Sequence, residues 1–352
     1  MGETNKNQAI DLIFRNLEEI IERESLQEKL AAGTQLIGYI GFAPTGQIHT
    51  GYLVPCMKVR DLTLAGCNIA IMLADLHALL DERKTPARLA DFRSQYYQLV
   101  LTKILEVLGA DMNRIKFVRG SEFQYTGVYL ADILELSSRV TISAAKKAGT
   151  EVVKQSKDTK LGSALYPVMQ AVDENYVGQA TFGRQVDFEL GGLEQRQIFH
   201  FSRDWDKIEG EPRQSGKITY LMTPIISLSK TGKMSCSDGR NPSKISFLDT
   251  DDEIRTKIER AFCIDKDVDC GLMKLLRCVF FPLHGKVIIT DNYGPHEYVN
   301  YHTLQSYFVQ GAVTSQQVKS VITTLMCDVV EPIRQYLHTD DMRDLITDAY
   351  PQ

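Results

Sequence analysis

Residues 36–52 read Leu36-Ile37-Gly38-Tyr39-Ile40-Gly41-Phe42-Ala43-Pro44-Thr45-Gly46-Gln47-Ile48-His49-Thr50-Gly51-Tyr52. The apolar run Leu36 to Phe42 is a buried strand by length and content, and Pro44, Thr45 and Gly46 mark a tight turn after it. A helix then starts near His49-Thr50-Gly51. Amides at a helix start favour anions, and glycine lets a ligand approach the main chain closely. His49 can donate a hydrogen bond to a phosphate as charge develops on it. Taken alone, a loop histidine beside a Pro-Thr-Gly turn is the better explanation of this stretch.

Outward from this stretch, the pattern is that of a doubly wound sheet. A helix over about Leu53 to Ala65 leads to a second buried strand, Ile69 to Ala74. Strand, helix and strand in that order imply a parallel pair with a right-handed crossover. Pro86 opens another helix running to about Leu108, and Ile115-Lys116-Phe117-Val118 is a third strand. Upstream, apolar residues from Ile10 to Leu30 recur at helical spacing over Ala9 to Ala31, with Gly33 as a C-terminal stop. Residues from about Tyr125 to Lys160 interrupt the rhythm with helices and a basic stretch holding Lys146 and Lys147. From Asp251 onward the text is mainly helical, apart from β-like pieces at Val287 to Thr290 and Glu297 to Val299.

The expected architecture is therefore α/β: a Rossmann-like catalytic domain over residues 1–245, with a connective segment inserted at about 120–165, then a helical domain over 246–352. A content of 43% hydrophobic and 24% charged residues is ordinary for a globular chain of 352 residues. A net charge of −5 argues against coating nucleic acid by bulk charge but leaves local basic patches open. The seven cysteines are odd in number and scattered without a CxxC pair, which suits free thiols in a reducing compartment better than disulfides or a zinc site. No apolar run approaches the ~18 residues of a membrane span. The N-terminus lacks a signal core, and a cytoplasmic location is expected.

A second motif, Lys230-Thr231-Gly232-Lys233-Met234-Ser235-Cys236-Ser237, follows the apolar strand Ile218 to Met222. A lysine on such a Gly- and Ser-rich loop can close over a triphosphate. In this order the two motifs resemble the halves of the ATP site of class I aminoacyl-tRNA synthetases. The residues between them are similar to the tyrosyl-tRNA synthetases of archaeal and eukaryotic type, which also have tyrosine at the place of Tyr52. The resemblance covers nearly all of residues 9–350.

It implies His49 and Lys233 as catalytic groups. It places ATP on Gly41, Ala43, Thr45, His49, Gly51, Gly191, Gly192, Glu194, Gln195, Met222, Lys233 and Ser235, with Mg²⁺ arriving on the nucleotide. Tyrosine would be held by Tyr39, Ala74, His77, Gln124, Tyr166, Gln170, Asp173 and Glu189. Tyr166, Gln170 and Asp173 share one helix face at i, i+4 and i+7. Tyr39 and Asp173 would supply the donor and acceptor for a substrate phenol. Glu189 stands where relatives carry glutamine, and Gln317 where they carry aspartate. Lys146, Lys147, Phe308 and Gln317 are the expected tRNA contacts, and a homodimer through the insertion is implied. The competing readings are a tryptophanyl-type enzyme, a small-molecule nucleotidyltransferase, and a synthetase-like RNA-binding protein without catalysis.

Overall fold

The computed structural model describes residues 3–81, 85–153, 160–209, 218–230, 244–291 and 294–351. The elements run α1 (Glu3–Phe14), β1 (Glu19–Ile21), α2 (Arg23–Ala31), β2 (Ile37–Phe42), α3 (Leu53–Leu64), β3 (Asn68–Leu73), α4 (Asp75–Leu80), α5 (Ala90–Leu108) and β4 (Ile115–Arg119). The inserted part holds α6 (Ser121–Gln124), α7 (Gly127–Arg139), α8 (Ile142–Ala148) and the long α9 (Leu161–Phe182). Then come β5 (Phe188–Gly192), α10 (Arg196–Glu209) and β6 (Thr219–Thr223). The last third holds α11 (Asp251–Arg260), α12 (Gly271–Leu275), a π-helical turn (Leu276–Phe280) and α13 (Phe281–His284). The hairpin β7 (Val287–Asp291) and β8 (Gly294–Tyr298) follows, then α14 (Tyr301–Gln310), α15 (Ser315–Leu337) and α16 (Asp340–Ala349).

Six strands form one sheet in the order β1-β6-β5-β2-β3-β4, parallel except for β1, which runs antiparallel to β6. The chain winds from β2 outward to β4, then returns to the other side of β2 for β5 and β6. The strand order reverses between β2 and β5, and ligands in such folds bind outside the carboxyl ends at that reversal. A side chain at Gly38 would meet the Phe188 ring at 2.0 Å, so this position must be small for β2 and β5 to pair.

The helical spacing over Ala9 to Ala31 is not one helix, and this corrects the sequence reading. Asn16 and Glu22 both adopt left-handed backbone, at φ 57 each, and β1 between them pairs with β6. Lys58 fixes the end of α1: its buried ammonium donates to the carbonyls of Leu12 (3.1 Å), Ile13 (3.4 Å) and Arg15 (2.5 Å). Burial lowers the Lys58 ammonium to about 8, against the opposing pull of Asp61. Gly33 closes α2 as expected, at φ 74.

The helical third packs directly on the sheet domain. One apolar cluster runs from Ile13 through Leu101 on α5 to Val330 on α15 and Ala349 on α16. No described helix is long and apolar enough to cross a membrane.

Candidate active site

The turn after β2 is held from behind by its carbonyl groups. Arg93 donates to Thr45 O (2.7 Å) and Ala349 O (2.9 Å), while the Tyr97 and Tyr350 hydroxyls donate to Gly46 O at 2.8 and 3.0 Å. His49 caps the short helical turn Thr50–Tyr52, its Nδ1 accepting from the Gly51 amide at 3.1 Å. Accepting through Nδ1 leaves the proton of a neutral imidazole on Nε2, which is then a donor. Burial, helped by the nearby Lys244 charge, lowers His49 to about 3, so the ring is neutral at physiological pH. Thr50 donates through N and Oγ1 to Ile245 O (3.1 and 3.2 Å), and His49 bridges to Ser246. Residues just downstream of the second motif are thus fastened to the first.

The carboxyl ends of β2, β3, β5 and β6 converge on a cleft of about 510 Å³. Gly41, Ala43, Thr45, His49, Gly51, Gly191, Gly192, Glu194 and Gln195 all line it, so these expected nucleotide residues share one space. Gly191 is also required by the protein's own packing, whereas at Gly192 only the movable Glu194 carboxylate would have to give way. A Cβ at Gly191 would lie 2.7 Å from the Phe199 ring, and one at Gly192 would lie 2.2 Å from the Glu194 carboxylate.

Tyr39, Ala74, His77, Tyr166, Gln170 and Glu189 line the same cleft. Gln170 Nε2 donates to Glu189 Oε1 (2.9 Å) and Gln195 Oε1 (3.2 Å), joining the two sides. His77 packs edge-on against Tyr166 at 4.5 Å between ring centres, and its Nε2 lies 3.6 Å from Asp173 Oδ2. Asp173 Oδ1 accepts from Gln124 Nε2 (2.7 Å) and the Tyr129 hydroxyl (2.8 Å). Its Oδ2 is buried without a hydrogen-bond partner, and the buried Tyr39 hydroxyl and Glu189 Oε2 interact with each other but form no hydrogen bond of ordinary geometry. Native interiors rarely leave such groups unpaired, and a bound ligand is one explanation.

The electrostatics of the pocket follow from burial. Asp173 is pushed up to about 8 by burial, against the Gln124 and Tyr129 hydrogen bonds that favour its ionised form. Glu189 is raised by burial and by the neighbouring Glu174 carboxylate. Burial first, and Glu189 second, raise the Tyr39 phenol, while burial lowers His77 to about 4. Burial thus favours the protonated form of Asp173 and Glu189 and the neutral form of His77.

Met222, Phe308, Lys146, Lys147 and Gln317 do not line the cleft. Met222 is fully buried in β6, and the following residues Thr223, Pro224, Ile225 and Ile226 line the cleft instead. Phe308 is fully buried in the core cluster and offers no face to a base, which removes it as a stacking residue. Lys233 and Ser235 lie outside the described residues. Lys146 and Lys147 occupy the last turn of α8, Lys147 exposed. Gln317 is half-buried, and its Oε1 accepts from Thr314 N (2.8 Å) and Oγ1 (3.0 Å) to cap α15.

Sequence reading missed Tyr129, Lys244 and the segment Thr150 to Val153, which also lines the cleft. The strand-end rule was the signal for Thr223 to Ile226. Nothing local marks Tyr129, which lies 44 residues from Asp173.

The reversal-point cleft carries a histidine-capped turn on one side and the buried Tyr39 phenol and Asp173 carboxyl on the other. The model of tRNA synthetases class I (W and Y) matches residues 31–328, and the chain belongs to that family. The cytoplasmic tyrosine–tRNA ligase of Xenopus tropicalis is 35% identical over 344 residues, 97% of this chain and 62% of that protein. The chain thus spans about 62% of the length of that relative. The tyrosine–tRNA ligase of Haloarcula marismortui is 32% identical over 98% of this chain and 97% of its own. The crystal structure of Archaeoglobus fulgidus tyrosyl-tRNA synthetase complexed with L-tyrosine has a TM-score of 0.83 at 29% identity, covering 94% of this chain and 99% of that one.

Proposed function

We propose that the chain is a tyrosine–tRNA ligase. A tyrosine carboxylate oxygen attacks the α-phosphorus of ATP, the bond to pyrophosphate breaks, and tyrosyl-adenylate forms. A ribose hydroxyl at the 3′ end of tRNA(Tyr) then attacks the acyl carbon and AMP leaves. Positioning and charge stabilisation carry both steps, without a covalent enzyme intermediate. The neutral His49 donates through Nε2 to the phosphate as charge builds, and Lys233 is assigned to the leaving pyrophosphate. Mg²⁺ enters with ATP; among the described residues no cluster of three or more His, Cys, Asp or Glu side chains is placed to hold it alone.

The observation that carries this reading is the pair of unpartnered buried atoms, Tyr39 Oη and Asp173 Oδ2. A phenol can donate to one and accept from the other, whereas phenylalanine leaves both unpaired. The Glu189 carboxyl, in place of a relative's amide, takes the substrate ammonium together with Tyr166 and Gln170.

The same reading assigns residues 1–245 to catalysis, the segment at about 120–165 to dimer and acceptor-stem contacts, and 246–352 to the anticodon, with a cytoplasmic homodimer as the working form. Tyr125, Val128, Leu130 and Leu134 on and before α7 support the dimer, since all four are exposed apolar side chains. Lys146, Lys147 and Gln317 remain candidate RNA contacts.

ATP–pyrophosphate exchange with tyrosine, phenylalanine and tryptophan, without tRNA, tests the proposal. Exchange with tyrosine alone is expected. Exchange driven by another amino acid, or none by folded protein, refutes it.

A further inference from the structure

The second thiol chemistry in this chain lies away from the cleft, in residues 261–270 between α11 and α12. The Cys263 and Cys270 sulfurs stand 3.4 Å apart in hydrogen-bond contact, although neither residue belongs to a CxxC pair. That is within the about 3–3.5 Å separation from which bonded atoms react. Cys270 is 3% exposed and Cys263 9%, so the pair sits just under the surface. The Cys263 thiol, which can donate to an ionised Cys270, and the amides of Met273 and Leu272 hold Cys270 down, to about 7. Burial instead raises Cys56 and Cys67. Thiolate character is what makes one buried cysteine reactive and another inert.

The segment these cysteines bracket joins two parts of the molecule. At one end the Phe262 amide donates to Leu228 O (2.8 Å), and Gly271 presses so closely on Ser227 that a Cβ there would lie 1.9 Å from its carbonyl oxygen. Ser227 and Leu228 lead into the second motif. Within the segment Asp265 Oδ1 accepts from the Ser315 amide (2.5 Å) at the start of α15.

We propose that Cys263 and Cys270 form a reversible disulfide that restrains the segment tying residues 227–228 to the start of α15. A hydroperoxide is the oxidant class. The Cys270 thiolate attacks one peroxide oxygen, the O–O bond breaks, and hydroxide leaves to be protonated by solvent. The Cys263 sulfur then attacks the sulfenic sulfur, the S–S bond forms, and the sulfenic oxygen departs as water with the Cys263 proton. Two thiols are oxidised by two electrons, one peroxide is reduced to two waters, and a small thiol reverses the bond by exchange.

The test uses the folded full chain treated with equimolar hydrogen peroxide, alkylated, digested without reductant and mapped by mass. A peptide pair linked through Cys263 and Cys270, lost on adding dithiothreitol, is expected. The Phe262 and Ser315 amides of the oxidised chain should exchange hydrogen about tenfold more slowly. In Cys270→Ala, Cys263 should stay reduced under the same peroxide. Alkylated Cys263 and Cys270 beside an oxidised Cys327 overturn the site. Unchanged amide exchange in the linked form overturns the restraint. The wild-type map decides even where the variant fails to fold.

Discussion

Tyr39→Phe removes one oxygen atom and separates binding from stability. The Tyr39 hydroxyl is buried beside the Glu189 carboxyl and makes no hydrogen bond of ordinary geometry within the protein. Deleting a partnered buried hydroxyl normally destabilises, but an unpartnered one has already lost its water without compensation. The unliganded variant should therefore be as stable as wild type, or more stable by up to about 1 kcal/mol. Tyrosine binding should move the other way, because the substrate phenol then enters the pocket lacking one partner. Leaving that group unpaired costs about 1–3 kcal/mol, which corresponds to a rise in KM for tyrosine of roughly 5- to 150-fold. Pyrophosphate exchange gives KM, and thermal melting of the unliganded chain gives stability. The relative rate with phenylalanine should rise as well, since one of the two groups that reject it is gone. An unchanged KM together with a melting point several degrees lower would refute the reasoning. It would mean that the hydroxyl is paired within the protein and does not await a ligand.

Three further outcomes are expected. His49→Ala loses both the Nε2 donor and the cap on the Gly51 amide, and should lower the exchange rate by ~10²–10³ in kcat with a smaller effect on KM for ATP; a kcat within threefold of wild type would remove His49 from the chemistry. Asp173 titrates near 8 in the fold against 3.8 for a free carboxyl, so the folded state binds the extra proton between those values. Stability of the unliganded chain should fall as pH rises through that window, by at most about 1.4 kcal/mol per pH unit, and melting curves of Asp173→Asn should diverge upward from wild type between pH 4 and 8. Parallel curves would show that Asp173 is already ionised in the empty pocket. Leu134→Glu places a charge on the exposed apolar face of α7 and should convert a dimer to a folded monomer by sedimentation; a dimer that survives it lies on another face.

The candidate site was legible wherever its signal was local. The strand, turn and helix start over residues 36–52, the face shared by Tyr166, Gln170 and Asp173, and the twin glycines ending β5 each occupy one short window. There, backbone period and glycine content map directly onto geometry. The resemblance supplied which of these windows belong together, and the cleft brings most of those residues to one space.

By itself the sequence determined the alternation of strands and helices, the parallel winding and the polar groups available to the pocket. Tertiary structure decided how those groups are spent. The break between α1 and α2 follows from pairing of β1 with β6 across two hundred residues, which outweighs a helical pattern read locally. Phe308 became core, and Gln317 became a helix cap. The C-terminal Tyr350 reached back 304 positions to hold Gly46 beneath the nucleotide turn. Long-range partners of this kind leave no period in the text, because a hydrogen bond depends on distance in space and not on distance along the chain. The same holds for protonation: Asp173 and Glu189 are ordinary carboxyl groups as letters, and only their burial in the fold shifts both toward the protonated form.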